Sequence, residues 1–233
     1  MSDLIKLLIE NKERPASVKF SAVAGAANVY LKGVIAADYG ASAADLRAAF
    51  DEAGGADVTL HINTPGGDAF EAREMQSVIA GYAGKVVASI EGMAASAGTV
   101  VCLSASSVQM LKGSRYMIHN GMSGSWGDKN DLRARAALLD SFDTELAAEY
   151  ARKTGASVDQ VAAWMDAETW FTADQALEAK FVDSLVENTQ NVSNAARWNL
   201  NAYANAPKDE PPALDYAALH AANRRRLQLL QFA

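Results

Sequence analysis

The chain is poor in the residues that staple, ligate metal or grip nucleic acid. Its single cysteine, Cys102, cannot close an intrachain disulfide and rules out a cysteine-based zinc site; a buried, inert thiol in a reducing compartment, the cytoplasm, is expected. There are only three histidines, His61, His119 and His220, and neither a metal nor a cofactor is expected. Lys and Arg number 21 against 28 Asp and Glu, a formal charge of −7, so the clustered cations that phosphate binding requires are missing. No nucleic-acid partner is expected. The most apolar stretch, 78–108, is interrupted by Lys85, Glu91 and several glycines, so no run of about 20 uninterrupted apolar residues is available to span a bilayer. Residues 1–15 carry acidic side chains and no small-residue cleavage site, so no secretory leader is expected.

What is present is enough apolar material for a sizeable core, 50% of 233 residues. Residues 1–9 read as a short amphipathic helix, and 1–17 as an N-terminal arm. Strands are expected at 18–20 and 27–35, then a helix over 43–53 capped by Ser42 and stopped by Gly54 and Gly55. A compact strand at 58–62 runs into Pro65, Gly66 and Gly67, after which 69–82 has helical spacing. A second strand, 85–90, leads into the turn EGMAASAG at 91–98 and a small-residue helix through Leu103. Strand, glycine turn and helix thus occur twice, which predicts an α/β domain whose strand ends and helix N-termini converge on one surface.

Short strands follow at 108–111 and 116–118, and the Gly- and Ser-rich run 121–127 is too loose to pack. From Lys129 to near Gly155, Leu132, Ala136, Leu139, Phe142, Leu146 and Tyr150 recur at three- and four-residue spacing. A helix of some 25 residues would be about 38 Å long at about 1.5 Å per residue, long enough to project. A shorter helix at 157–165, a helix start at 172–177 and a strand at 181–186 close the domain, 18–188. Residues 189–233 read as a linker and tail, with a possible amphipathic helix at 216–232.

Three places fit one reaction. Ser96, at the N-terminus of a helix among small neighbours, gains from free backbone N–H groups, and the N–H of Ala97 can serve as an oxyanion donor. His119, at a strand end before a glycine-rich run, is placed to be its base, whereas His61 reads as structural. Asp166 and Glu168 both stand where an acid could hold the imidazole; Asp68, Asp128 and Asp131 sit where N-caps are wanted. The Gly66–Gly67 loop offers a second oxyanion donor. Neither GxxxxGK[ST] nor GxGxxG is present, which argues against nucleotide binding.

The runs INTPGGD, EGMAASAG, YMIHN and DAETWFTADQALEAKFVDSL, in this order, resemble the Clp protease proteolytic subunit, ClpP, and more narrowly the ClpP-related head maturation proteases of tailed phages and prophages. The resemblance covers 29–186. It implies a ClpP/crotonase-like spiral of ββα units with a projecting handle helix from about Lys129, which mediates contact between stacked rings, and a ring-forming homo-oligomer. It implies Ser96 as nucleophile, His119 as general base, and Gly67 and Ala97 as oxyanion-hole donors. Glu168 matches the family's aspartate position, with Asp166 as fallback. It also implies that Gly66, Asp68 and Ala69, with Asn120, Gly121, Met122 and Ser123, flank an extended peptide by strand addition. The expected activity is serine endopeptidase action on protein substrates, with phage scaffold or capsid proteins as partners. The family also uses an ATP-driven unfoldase, for which no docking pocket is mapped. Two alternatives stand beside this reading: a catalytically silent ring acting in assembly, and a crotonase-type acyl-CoA enzyme.

Overall fold

In the computed structural model the described residues are 3–14, 16–23, 26–187 and 198–207. The possible helix at 216–232 lies outside them. Helix α1 (Asp3–Glu10) precedes an antiparallel hairpin of β1 (Ser17–Val23) and β2 (Ala26–Lys32). Then come α2 (Ala43–Ala53), β3 (Val58–Thr64), α3 (Ala69–Ala80), β4 (Val86–Ala95), α4 (Ala97–Cys102), β5 (Ser107–Leu111) and β6 (Arg115–Ile118). The chain continues through α5 (Lys129–Thr154), α6 (Val158–Asp166), β7 (Thr169–Thr172), α7 (Ala173–Glu178) and β8 (Ser184–Val186).

The main sheet runs β1-β2-β3-β4-β5-β8, and from β2 onward its neighbours are parallel. Strict alternation decides which face is covered. Along β3, Val58, Leu60, Ile62 and Thr64 are buried while Thr59, His61 and Asn63 are half-buried on the other face, the two-residue period of a strand with one packed side. Leu46 and Phe50 of α2, Met75 and Ile79 of α3, and Val100 and Val101 of α4 join the packed face in one core. Burial pushes the Cys102 thiol of α4 up to about 12, which makes it inert. On the opposite face the ring of His61 is held between Glu91 and Asn28 and stacked on Tyr30, a structural setting remote from Ser96.

Strand β4 positions the site. Its first half, Val87–Ile90, pairs with β5; its last residues, Met93–Ala95, pair with β6 instead. The exchange of neighbours falls at Gly92, whose φ of 131° is a glycine conformation and where a Cβ would stand 2.9 Å from the Asn63 side chain. As a result β4 extends through most of EGMAASAG, and the turn expected over 91–98 is confined to Ser96. Pairing on both sides overrides the weak strand preference of these small residues.

Helix α5 begins with a reciprocal capping box between Asp128 and Asp131 and ends at Gly155 in the left-handed region. Only its second half packs, through Leu146, Ala147, Tyr150 and Thr154; Leu132 and Leu138 are exposed. The expected apolar stripe is therefore present, but among the described residues its first turns are left uncovered. Trp198, Leu200 and Tyr203, from the stretch read as linker, pack with Leu4, Leu7 and Leu8 of α1 in a second small core beside β4 and β6.

Asp183 ties the far edge together by accepting the Val108 N–H at 2.7 Å and the Lys153 ammonium at 2.7 and 2.9 Å. Burial alone would raise this carboxyl, but the Lys153 hydrogen bond, the Val108 N–H and the Lys153 charge outweigh it and hold it below the ordinary value of 3.8. The sign follows from linkage: a carboxyl depressed in the folded state stabilises above its unfolded value, and that stabilisation is lost as pH falls through the folded one. Asp183→Ala should thus lower the melting temperature at pH 7, and the gap to the unsubstituted protein should narrow toward pH 3. Thermal unfolding at the two pH values checks this; a gap of constant size would contradict it.

Candidate active site

Three chain reversals meet at the C-terminal ends of β3, β4 and β6. At the end of β4, Ser96 adopts φ 51° and ψ −121°, a strained backbone for a residue with a side chain. Its N–H donates to Met117 O at 2.9 Å, and its carbonyl accepts from the Thr99 N–H and hydroxyl, so strand pairing and α4 hold the strain in place. Thr99 is in turn hydrogen-bonded to the buried Tyr150 hydroxyl, which connects this turn to α5.

The glycine loop after β3 comes close enough to touch this turn. A Cβ on Gly66 would lie 2.6 Å from Ala95 O and 2.8 Å from Ser96 Cβ, so only glycine permits the approach. Gly66 O accepts the Ile35 N–H and the Asp68 N–H donates to Ile35 O, a parallel bridge that leaves the intervening Gly67 N–H aimed away from Ile35. The Ala97 N–H is the first of α4 and has no intrahelical acceptor. Among the described residues neither N–H donates to a backbone carbonyl. Asp68 caps α3 through the Phe70 and Glu71 N–H groups, the cap expected of it, and Ala69 opens that helix.

His119 follows β6 directly, and its Nε2 lies 2.7 Å from Ser96 Oγ. The edge of its ring meets Tyr203, with centroids 5.4 Å apart and an interplanar angle of 88°. Beyond it the Asn120 amide donates to Asp166 Oδ1 at 2.7 Å and the Gly121 N–H to Asp143 Oδ1 at 2.6 Å. Burial pushes the Asp143 carboxyl up, against the pull of the Gly121 N–H. Gly121, Met122 and Ser123, with Gly67, Asp68 and Ala69, line a cavity of about 240 Å³ together with Ser96, His119 and the apolar side chains of Val100, Leu139, Phe142 and Leu146.

The structure does not bring the two carboxylates expected near the imidazole onto it. Asp166 is taken by Asn120. Glu168, at φ 46°, accepts the Trp170 indole N–H and the Asn205 N–H at Oε1, and the Ala204 N–H at Oε2. Its carboxylate faces residues 204–205. Sequence reasoning missed Tyr203 and, from α1, Leu4 and Leu7, all of which also line the cavity; Trp198, Leu200 and Tyr203, set among Asn and Ala, were the only signal.

The arrangement suits acyl transfer: a hydroxyl beside an imidazole, two N–H groups that donate to no backbone carbonyl among the described residues, and a partly apolar cavity. Comparison with known proteins shows the family and the fold. The family model described as Clp protease matches residues 16–189. The ATP-dependent Clp protease proteolytic subunit 2 of Tropheryma whipplei (strain Twist) is 30% identical over 131 residues, 55% of this chain and 73% of that protein. Its namesake from Treponema pallidum (strain Nichols) is 33% identical over 132 residues, 56% of this chain and 66% of that protein. Among solved structures, a ClpP1 mutant from Listeria monocytogenes superposes with a TM-score of 0.62, covering 70% of this chain and 92% of that one; at 23% identity the likeness concerns the fold. With the match spanning the whole sheet and all three reversals, the chain belongs to the Clp protease family, whose members are serine peptidases.

Proposed function

We propose that this chain is a serine endopeptidase in which Ser96 is the nucleophile, His119 the general base, and the N–H groups of Gly67 and Ala97 the oxyanion donors. One observation carries the reading: Ser96 Oγ, on a strained turn, stands 2.7 Å from His119 Nε2. In the reaction Ser96 Oγ attacks the peptide carbonyl carbon as its proton passes to Nε2. The carbonyl oxygen becomes an anion facing the two N–H groups. Collapse breaks the C–N bond, the amine leaves with the proton from Nε2, and water, activated by the same nitrogen, hydrolyses the acyl-serine.

The apolar lining of the cavity favours an apolar side chain on the residue before the scissile bond, and the segments 66–69 and 120–123 suit an extended peptide between them. The first turns of α5, uncovered among the described residues, support self-association, in keeping with a family that forms rings acting on protein substrates. As the physiological task we propose processing of phage scaffold or capsid proteins, supported by the likeness of the four sequence runs to head maturation proteases.

The test of the chemistry is hydrolysis, without ATP, of a fluorogenic peptide carrying an apolar residue before the cleaved bond. Turnover abolished by a serine-directed phosphonate is the expected result. Absence of turnover under all assembly conditions would favour the silent ring; turnover of an acyl-CoA thioester in its place would favour the crotonase reading.

A further inference from the structure

We propose that residues 198–207 form a strap that fixes the orientation of the catalytic imidazole, with Tyr203 as the positioning residue and Glu168 as the anchor of the strap. The inference rests on the reading of Ser96 and His119 given above, and adds a residue to it from outside the family match, which ends at 189.

The strap is tied down on both sides of Tyr203. Ahead of it, the Trp198 indole N–H donates to Asn63 Oδ1 at 3.0 Å, and Asn199 exchanges two hydrogen bonds with the Asn11 amide at 2.8 and 3.0 Å. Behind it, the Ala204 and Asn205 N–H groups both end on the Glu168 carboxylate, and the Asn205 amide donates to Ala167 O. Between these ties Tyr203 is only 5% exposed. Its ring sits edge-on to His119 and also against Trp170 at 5.7 Å, while its hydroxyl donates to Pro65 O at 2.5 Å.

One side chain therefore touches the base and the loop that carries the Gly67 N–H. Aromatic edge packing restricts the rotation of the imidazole, and the Pro65 bond sets its distance from the oxyanion loop. Glu168 acts at one remove: it holds the strap rather than the ring. Because Tyr203 lines the cavity, obstruction is the opposite role for such a segment. Among the described residues the strap makes no backbone hydrogen bond to 66–69 or 120–123, and the contact between Ser96 and His119 is intact beneath it.

The test uses the full chain and the fluorogenic peptide. Tyr203 also lines the cavity, so Tyr203→Ala should lower kcat about tenfold or more with a smaller change in KM, because the ring chiefly orients the base. Tyr203→Phe, which keeps the ring, should return to within about threefold of the unsubstituted protein. Glu168→Ala should reproduce the Tyr203→Ala defect, and the double variant should be no worse than either single one, since both break the same device. Should Tyr203→Ala not fold, Tyr203→Leu carries the same comparison with apolar volume retained. Unchanged kcat, a rise in kcat, or a rise in KM alone in an otherwise active protein would overturn the strap. A full-length protein that neither turns over nor reacts with a phosphonate would overturn the Ser96 reading first, and the strap with it.

Discussion

Ser96→Ala is expected to reduce peptide turnover by about 10³-fold or more while leaving the melting temperature nearly unchanged. The size of the loss follows from covalent catalysis: without Oγ no acyl intermediate forms, and only the N–H pair and substrate positioning remain to assist water. The small effect on folding follows from local geometry. The Ser96 hydroxyl bonds His119, whereas the turn itself is held by backbone contacts to Met117 and Thr99 that alanine retains. Peptide hydrolysis and thermal unfolding measured on one preparation check both halves. Retained turnover would move the nucleophile elsewhere, and a large fall in melting temperature would mean that the hydroxyl supports the fold.

Gly67→Ala should be nearly as damaging by a different route. A Cβ at Gly67 would stand 2.1 Å from Ile35 O and 2.8 Å from Ile35 N, and both are backbone atoms that cannot swing aside. Its φ of 149° is also one that residues with side chains rarely adopt. The loop must shift, and the Gly67 N–H moves with it. Loss of one oxyanion donor corresponds to roughly 10² to 10³ in kcat, and the strain should lower stability by about 1–3 kcal/mol. Gly113→Ala is the control, since its φ is 91° but nothing lies within 4 Å of the added Cβ. It should cost some stability and leave kcat unchanged. Equal kcat for the two variants would remove Gly67 from the oxyanion reading.

Much of this architecture is legible in the sequence because its signals are local. Ser42, Asp68, Asp128, Ser157 and Thr172 each cap a helix through their own side chains, and Gly54 and Gly155 end helices in the left-handed region. The alternation through 58–64 reads directly as a strand with one packed face. What was not legible depends on long-range partners. Small residues at 91–95 read as a turn, yet β4 and its neighbours make them strand. The stripe on α5 shows that a face exists but not that, among the described residues, its first turns lie uncovered. Motif order brings Ser96 and His119 to one site. The resemblance matches Glu168 to the family's acid position but says nothing of where its carboxylate points, and here it points to Ala204 and Asn205. Composition hid the strap, because Asn- and Ala-rich stretches usually lack the apolar area to pack, and three side chains sufficed here.

An activated Ser96 can be detected chemically. Reaction of the full-length protein with a fluorophosphonate, followed by peptide mass mapping, does so most directly, because the reagent forms a stable bond with an activated serine whether or not the right peptide substrate is at hand. One adduct is expected, on Ser96, lost in Ser96→Ala and formed much more slowly in His119→Ala. No adduct, or an adduct on another serine, would contradict the Ser96 reading.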